Sequence, residues 1–186
     1  RGHGRNVEKK SQRGIARMAD LERDMVTMID FAAKETGLPV IQFGHSLGGL
    51  IGLYTTLHSK PPVCAAIITS PWLKLVSAPP QAAFKAIGAL SGVLSPFSIN
   101  NGIPSTALCH DPAVCAAYDV DPQNHGRIGL ALAADANRAA NWVLAHPEEL
   151  KVPLLLCHGE QDPICSVEGS REFAEKAKGV RFVEFE

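Results

Sequence analysis

Apolar positions along the chain fall into blocks of two kinds. Between residues 18 and 36, Leu21, Met25, Met28, Ile29 and Ala32 recur three to four apart, the spacing of one helix face. Gly37 is a suitable stop for that helix, and Pro39 prevents its continuation. Residues 40–43 (Val-Ile-Gln-Phe) are a short apolar run of strand length. A helical stripe then resumes with Leu47, Leu50, Ile51, Leu53 and Tyr54, to about residue 58, before Pro61-Pro62 breaks the chain. Residues 63–69 are rich in apolar and β-branched types and predict a second strand. Strand, helix and strand in series predict a parallel sheet with crossover helices, an α/β class.

The alternation then lapses. Residues 72 to about 150 predict no strand. Helices are expected over 81–90 and 129–145, with Asn100-Asn101-Gly102, Asp111-Pro112 and Asp121-Pro122 as turn punctuation between them. The simplest organisation is an inserted helical region, a lid over the carboxyl edge of the sheet. A strand returns over 152–157, a helix follows over 167–178 and ends at Gly179, and a last strand is expected over 180–185. Residues 1–15 are polar and read as loop. The expected domains are a partial core over 1–74, a helical cap over 75–150, and a second part of the core over 151–186.

Composition narrows the class. The 186 residues are 46% hydrophobic and 20% charged, as in an ordinary globular domain. A net charge of −1 points away from nucleic acid as a partner. No apolar stretch has the length of a membrane span. The five cysteines fit neither a zinc ribbon nor a redox Cys-x-x-Cys. Cys64 and Cys157 are expected to be small core residues, and a reduced, cytoplasmic setting is expected. A Cys109–Cys115 disulfide is the alternative; the reduced state is the expected one. The chain begins with Arg1 and reads as an internal piece of a longer protein.

The chemistry centres on Gly44-His45-Ser46-Leu47-Gly48, directly after the first strand. Gly-x-Ser-x-Gly between a strand and a helix is the form of a nucleophile elbow, which places a strained serine at the tip of a sharp turn with its hydroxyl exposed. Gly44 and Gly48 are expected to let strand and helix approach closely. Unpaired N–H groups at the start of the helix favour developing negative charge. A serine hydroxyl is a weak nucleophile at neutral pH and needs a neighbouring base.

Three motifs in order resemble the monoacylglycerol lipase family of serine hydrolases. Arg1-Gly2-His3-Gly4-Arg5 is similar to its Arg-Gly-His-Gly loop, with Asn6 at the position of the family's serine. Gly44-His45-Ser46-Leu47-Gly48-Gly49 is similar to its nucleophile motif, and His158-Gly159-Glu160-Gln161-Asp162 to its acid loop. Asp111-Pro112, Tyr118 and Asp121-Pro122 resemble its cap. The resemblance implies an α/β-hydrolase fold, mostly parallel, with a helical cap insertion and truncated at both ends. It implies Ser46 as nucleophile, Asp162 as the acid that orients the base, and the Leu47 N–H as half of the oxyanion hole.

In this fold the order is serine, acid, histidine. His158 precedes the acid and is therefore expected to bond the loop, and His45 to pack and hydrogen-bond within the elbow. No histidine follows Asp162, so the base is expected beyond Glu186, and the 186-residue piece is expected to be inactive. Asp111, Asp121 and Asp135 are expected to be turn and cap residues. His3, His58, His110, His125 and His146 fit no metal-ligand spacing; no metal and no cofactor is expected. The apolar cap positions Ala82, Ala83, Phe84, Ile87, Leu90, Val93, Leu94 and Phe97 suit an acyl chain, or contact with a membrane surface. The expected reaction is hydrolysis of a lipid ester, monoacylglycerol to fatty acid and glycerol, through an acyl-enzyme on Ser46. The alternatives are a lysophospholipase or general carboxylesterase of the same fold, and, from another class, a non-catalytic binding protein of that fold.

Overall fold

The computed structural model describes residues 1–186. Its elements in chain order are α1 (Met18–Thr36), β1 (Val40–His45), α2 (Leu47–His58), β2 (Val63–Thr69), α3 (Gln81–Ala89), the single turn α4 (Ser91–Leu94), β3 (Ser98–Asn100), α5 (Pro112–Val120), β4 (Arg127–Gly129), α6 (Leu130–Ala145), β5 (Leu154–Gly159), α7 (Val167–Lys176) and β6 (Val180–Phe185). Two compact units form. One joins Arg1–Arg17 to Pro79–Asp135; the other joins Met18–Ala78 to Ala136–Glu186.

The second unit is built on a parallel sheet in the order β1-β2-β5-β6. The register separates its side chains into two faces. Gln42, Ala66 and Leu154 share one row, and Gly44, Ile68 and Leu156 the next; all six are buried. They pack with Leu50, Leu53 and Leu57 of α2, with Ala139, Ala140 and Val143 of α6 and with Phe173 of α7. Each fully buried leucine or phenylalanine contributes about 1.5–3 kcal/mol relative to exposure. Gln42 is a polar intruder in this core. Its Nε2 donates to Thr56 Oγ1 at 2.9 Å, and it fits because Gly52 has no Cβ, which would stand 2.8 Å from that nitrogen.

The opposite face is apolar but open. Its rows run Ile41–Ala65, Phe43–Ile67–Leu155–Arg181 and His45–Thr69–Cys157–Val183, and none of these residues is buried. Ile41 and Phe43 keep 59% and 65% of their surface in contact with solvent, whereas parallel sheets are ordinarily covered on both faces. This corrects the reading of two cysteines as core residues. Cys157 lies on the open face and is half-buried, and Cys64 is exposed beside the register shift at Val40/Ile41.

The other unit departs more from the sequence reading. It contains a two-stranded antiparallel ribbon, β3 with β4, in a stretch that predicts no strand. Three-residue strands are too short for alternation to show. Helix α5 is also absent from that reading. Asp111 caps it, with Oδ1 accepting the Ala113 N–H at 2.8 Å, and Pro112 occupies its first turn. Asp111 is thus a cap residue, as expected, and the Asp-Pro pair that punctuates the sequence is here a helix start. The polar N-terminal segment forms two short 3-10 turns and packs on the ribbon. Gly14 has φ +73°, and a Cβ there would stand 2.5 Å from the Arg127 carbonyl oxygen. His3 stacks on His125 at 4.4 Å, and His125 Nε2 donates to the Gly2 carbonyl at 2.7 Å. Asp135 is not a turn residue. It sits within α6, buried, with Oδ2 accepting from Arg17 Nε at 2.7 Å and Oδ1 from Nη2 at 3.3 Å.

Candidate active site

The strand–turn–helix at Ser46 follows from its glycines. β1 runs on through Gly44 and His45, and α2 begins at Leu47. A Cβ on Gly44 would stand 2.6 Å from the Gly48 carbonyl oxygen, so only glycine allows the strand to end that close to the helix. Gly48 itself faces open space; it supplies the backbone that Gly44 approaches, a different role from the one expected. Gly49 carries the second tight contact, with a Cβ position 3.2 Å from Ile68 Cγ2 and from Pro71 Cα and Cβ.

Ser46 has φ 53° and ψ −121°, a conformation that L-residues avoid. Such strain costs about 1–3 kcal/mol and persists where the surroundings over-determine it. The end of β2 does so here. The Ser46 N–H donates to the Thr69 carbonyl at 3.0 Å, and the Ser46 carbonyl accepts from Leu50 N–H at 3.0 Å and from Trp72 N–H at 3.1 Å. Ser70 shares the strain at φ 40°, its N–H donating to the Cys157 carbonyl at 2.8 Å. Leu47 is the first residue of α2, where N–H groups have no acceptor within the helix.

Asp162 lies on the loop after β5. Its Oδ1 accepts the N–H groups of Ile164 and Cys165, each at 2.9 Å. The same loop brings Cys165 to the elbow, with Sγ 3.9 Å from Ser46 Oγ. Burial, and next the negative charge of Asp162, push the Cys165 thiol up to about 12, while its contact with Ser46 pulls the other way. At neutral pH it is a thiol, and so a poor nucleophile.

The buried His158 holds the loop from below. Its Nδ1 hydrogen-bonds Ser170 Oγ at 2.7 Å and its Nε2 the Cys165 carbonyl at 2.9 Å, with Asp162 Oδ2 3.6 Å from Nε2. The carbonyl fixes the proton on Nε2, so Nδ1 accepts from the serine. Both nitrogens are thereby committed. His45 is exposed and hydrogen-bonds Thr69 Oγ1 at 2.8 Å. No histidine of the chain lies within hydrogen-bond distance of Ser46 Oγ. Thr69, Trp72, Cys165 and Ser170 are the supporting residues that motif reading misses; Ser70-Pro71 at the end of β2 is the one sequence signal that marks part of this support.

The elbow at Ser46 and the loop at Asp162 therefore meet through Cys165. The Hydrolase_4 family model (serine aminopeptidase, S33) matches residues 1–184. The chain belongs to this family. Within it, the chain is similar to the monoacylglycerol lipase of Mycolicibacterium smegmatis, 28% identical over 173 residues that cover 92% of this chain and 61% of the relative. It is 32% identical to the monoglyceride lipase of Homo sapiens over 163 residues, 84% of this chain and 52% of that protein. Among solved structures, the Paleococcus ferrophilus monoacylglycerol lipase superposes with a TM-score of 0.85 at 28% identity, covering 99% of this chain and 70% of that one. This member of the serine aminopeptidase S33 family is thus monoacylglycerol-lipase-like, with the α/β-hydrolase fold, and spans about half to two-thirds of the length of these relatives.

Proposed function

We propose that the chain is the nucleophile-and-acid part of a serine hydrolase that cleaves carboxylic esters of lipids, foremost monoacylglycerol. The observation that carries this is the strained backbone of Ser46, held at the β1–α2 turn by Thr69 and Trp72. Strain of that kind at a half-buried serine on a strand-to-helix turn is the conformation a nucleophile elbow needs.

In the proposed reaction Ser46 Oγ attacks the ester carbonyl, and the oxyanion forms against the Leu47 N–H. The proton passes to a histidine carried by polypeptide beyond residue 186, because each ring nitrogen of His158 is already engaged. Asp162 has Oδ1 fixed by two backbone N–H groups, which leaves Oδ2 to orient that histidine. The alcohol leaves, and water releases the acid from the acyl-enzyme. The chemistry requires no cofactor.

The substrate class rests on the relatives' names and on the 79–135 unit. There Leu90, Val93 and Phe97 are 57%, 73% and 55% exposed, the surface expected of a lid that receives an acyl chain or meets a membrane. No helix of the protein is long and apolar enough to cross a membrane. The test is to extend the chain at both ends to the length of its relatives and assay it on monoacylglycerol, lysophospholipid and a short soluble ester, beside Ser46→Ala. Monoacylglycerol hydrolysis lost in the variant is expected. Activity on soluble esters alone would move the reading to a carboxylesterase, and none on any substrate to a binding protein.

A further inference from the structure

Cys109 and Cys115 sit in one loop-to-helix turn of the 79–135 unit, and their sulfurs make opposite hydrogen bonds. Cys115 is buried in α5, and its thiol donates towards two carbonyls, that of Cys109 at 3.2 Å and that of Ser105 at 3.4 Å. Cys109 precedes the Asp111 cap and is half-buried, and its sulfur accepts the Asp111 N–H at 3.3 Å. The two side chains thus differ in accessibility, Cys109 half-buried and Cys115 buried, while Cys115 Sγ touches the backbone of Cys109 itself.

We propose that Cys109 and Cys115 form a reversible dithiol–disulfide pair that reacts with small-molecule disulfides, with Cys109 the attacking thiol and Cys115 the resolving one. Cys109, the more accessible thiol, loses its proton, and its sulfur attacks one sulfur of the small disulfide RSSR, forming a Cys109–S–S–R bond and releasing one RS⁻. The Cys115 thiol loses its proton, and its sulfur attacks Cys109 Sγ and displaces the second RS⁻. The protein loses two electrons and two protons in all, and RSSR becomes two RSH. Closing the bond removes the S–H donor from the Cys109 and Ser105 carbonyls and ties residues 109–115 into a small ring at the start of α5. Asp111 still caps the helix through Ala113 N–H, and the Ser105 hydroxyl still reaches Asp119 Oδ2 at 2.9 Å, so the ring forms on a scaffold that other bonds keep.

The 186-residue protein is treated with glutathione disulfide, its remaining free thiols are alkylated, and it is digested without reduction for mass spectrometry. A Cys109–Cys115 linked fragment, lighter by two hydrogens and free of alkyl label, is expected; dithiothreitol should restore both thiols. Cys115→Ser should stop the reaction halfway, with glutathione held on Cys109. Cys109→Ser should leave Cys115 as an unmodified thiol that alkylates only after unfolding. Glutathione found separately on both residues of the unsubstituted protein, alkylation of both without a link, or pairing with Cys64 overturns the proposal. Glutathione on Cys115 in the Cys109→Ser variant at the unsubstituted rate overturns the assigned roles.

Discussion

Ser46 Oγ lies 3.9 Å from Cys165 Sγ. The thiol stays protonated there because the loop buries it and Asp162 adds a negative charge nearby. Its ordinary value is 9.0 and its folded value about 12. Below pH 9 both folded and unfolded chains keep the proton, and the stability is fully present. Above pH 9 the unfolded chain ionises first, so stability falls as pH rises towards 12. At pH 10.5 the loss from this group is about 2 kcal/mol. Urea melts at pH 7 and pH 10.5 should show that extra alkaline loss in the unsubstituted protein and not in Cys165→Ala. Equal losses in the two would remove Cys165 as its source.

The strain at Ser46 has a stability consequence. Its φ and ψ are near the mirror image of the extended region, which glycine adopts freely. Ser46→Gly should therefore raise stability by about 1 kcal/mol despite the greater chain entropy it brings. Ser46→Ala keeps the strain and should show no such gain. Thermal unfolding of the two variants side by side decides this; a lower midpoint for the glycine variant would mean that the turn is not strained.

The two outer glycines of the motif should behave differently. Gly44→Ala forces a methyl against the Gly48 carbonyl at 2.6 Å, and backbone on both sides cannot move aside. A loss of about 3 kcal/mol or more is expected. Gly48→Ala meets open space within a helix and should be neutral or stabilising by up to about 1 kcal/mol. Denaturant midpoints for the pair measure the contrast, and similar losses at both positions would contradict the elbow packing.

Asp162 combines two tasks that substitution separates. Asp162→Asn keeps an oxygen for the Ile164 and Cys165 N–H groups, so the fold should hold. In the chain extended to carry its base, turnover should still fall by about three to four orders of magnitude, because the imidazole loses its orienting charge. Asp162→Ala also strands both N–H groups and should cost about 1–3 kcal/mol of stability. A tenfold or smaller drop in turnover for the asparagine variant would place the acid elsewhere. Asp135 is a poor substitute, since both its oxygens already face Arg17.

The parallel sheet was legible because strands such as 63–69 are continuous apolar runs bounded by Pro61-Pro62 and Ser70-Pro71. Ser46 and Asp162 were legible because glycine spacing and position after a strand are local properties. Cys165 was not, since its place beside Ser46 depends on how the loop after β5 folds back over 119 positions of sequence. The β3–β4 ribbon has too few residues to show a period, and its partners are far apart in the chain. The open sheet face is illegible for another reason: Ile41, Phe43 and Leu155 have the composition of a covered face, and only register and burial show that Ile41 and Phe43 face solvent.

The most direct measurement is intact-mass analysis after exposure to a fluorophosphonate, made on the chain extended to the length of its relatives and on Ser46→Ala in the same background. The reagent occupies the place of the ester carbonyl and reacts with an activated serine. One adduct that maps to Ser46 and vanishes in the variant is the expected result. An unchanged adduct in Ser46→Ala, or none on a folded extended chain that otherwise hydrolyses lipid esters, would contradict Ser46 as the nucleophile.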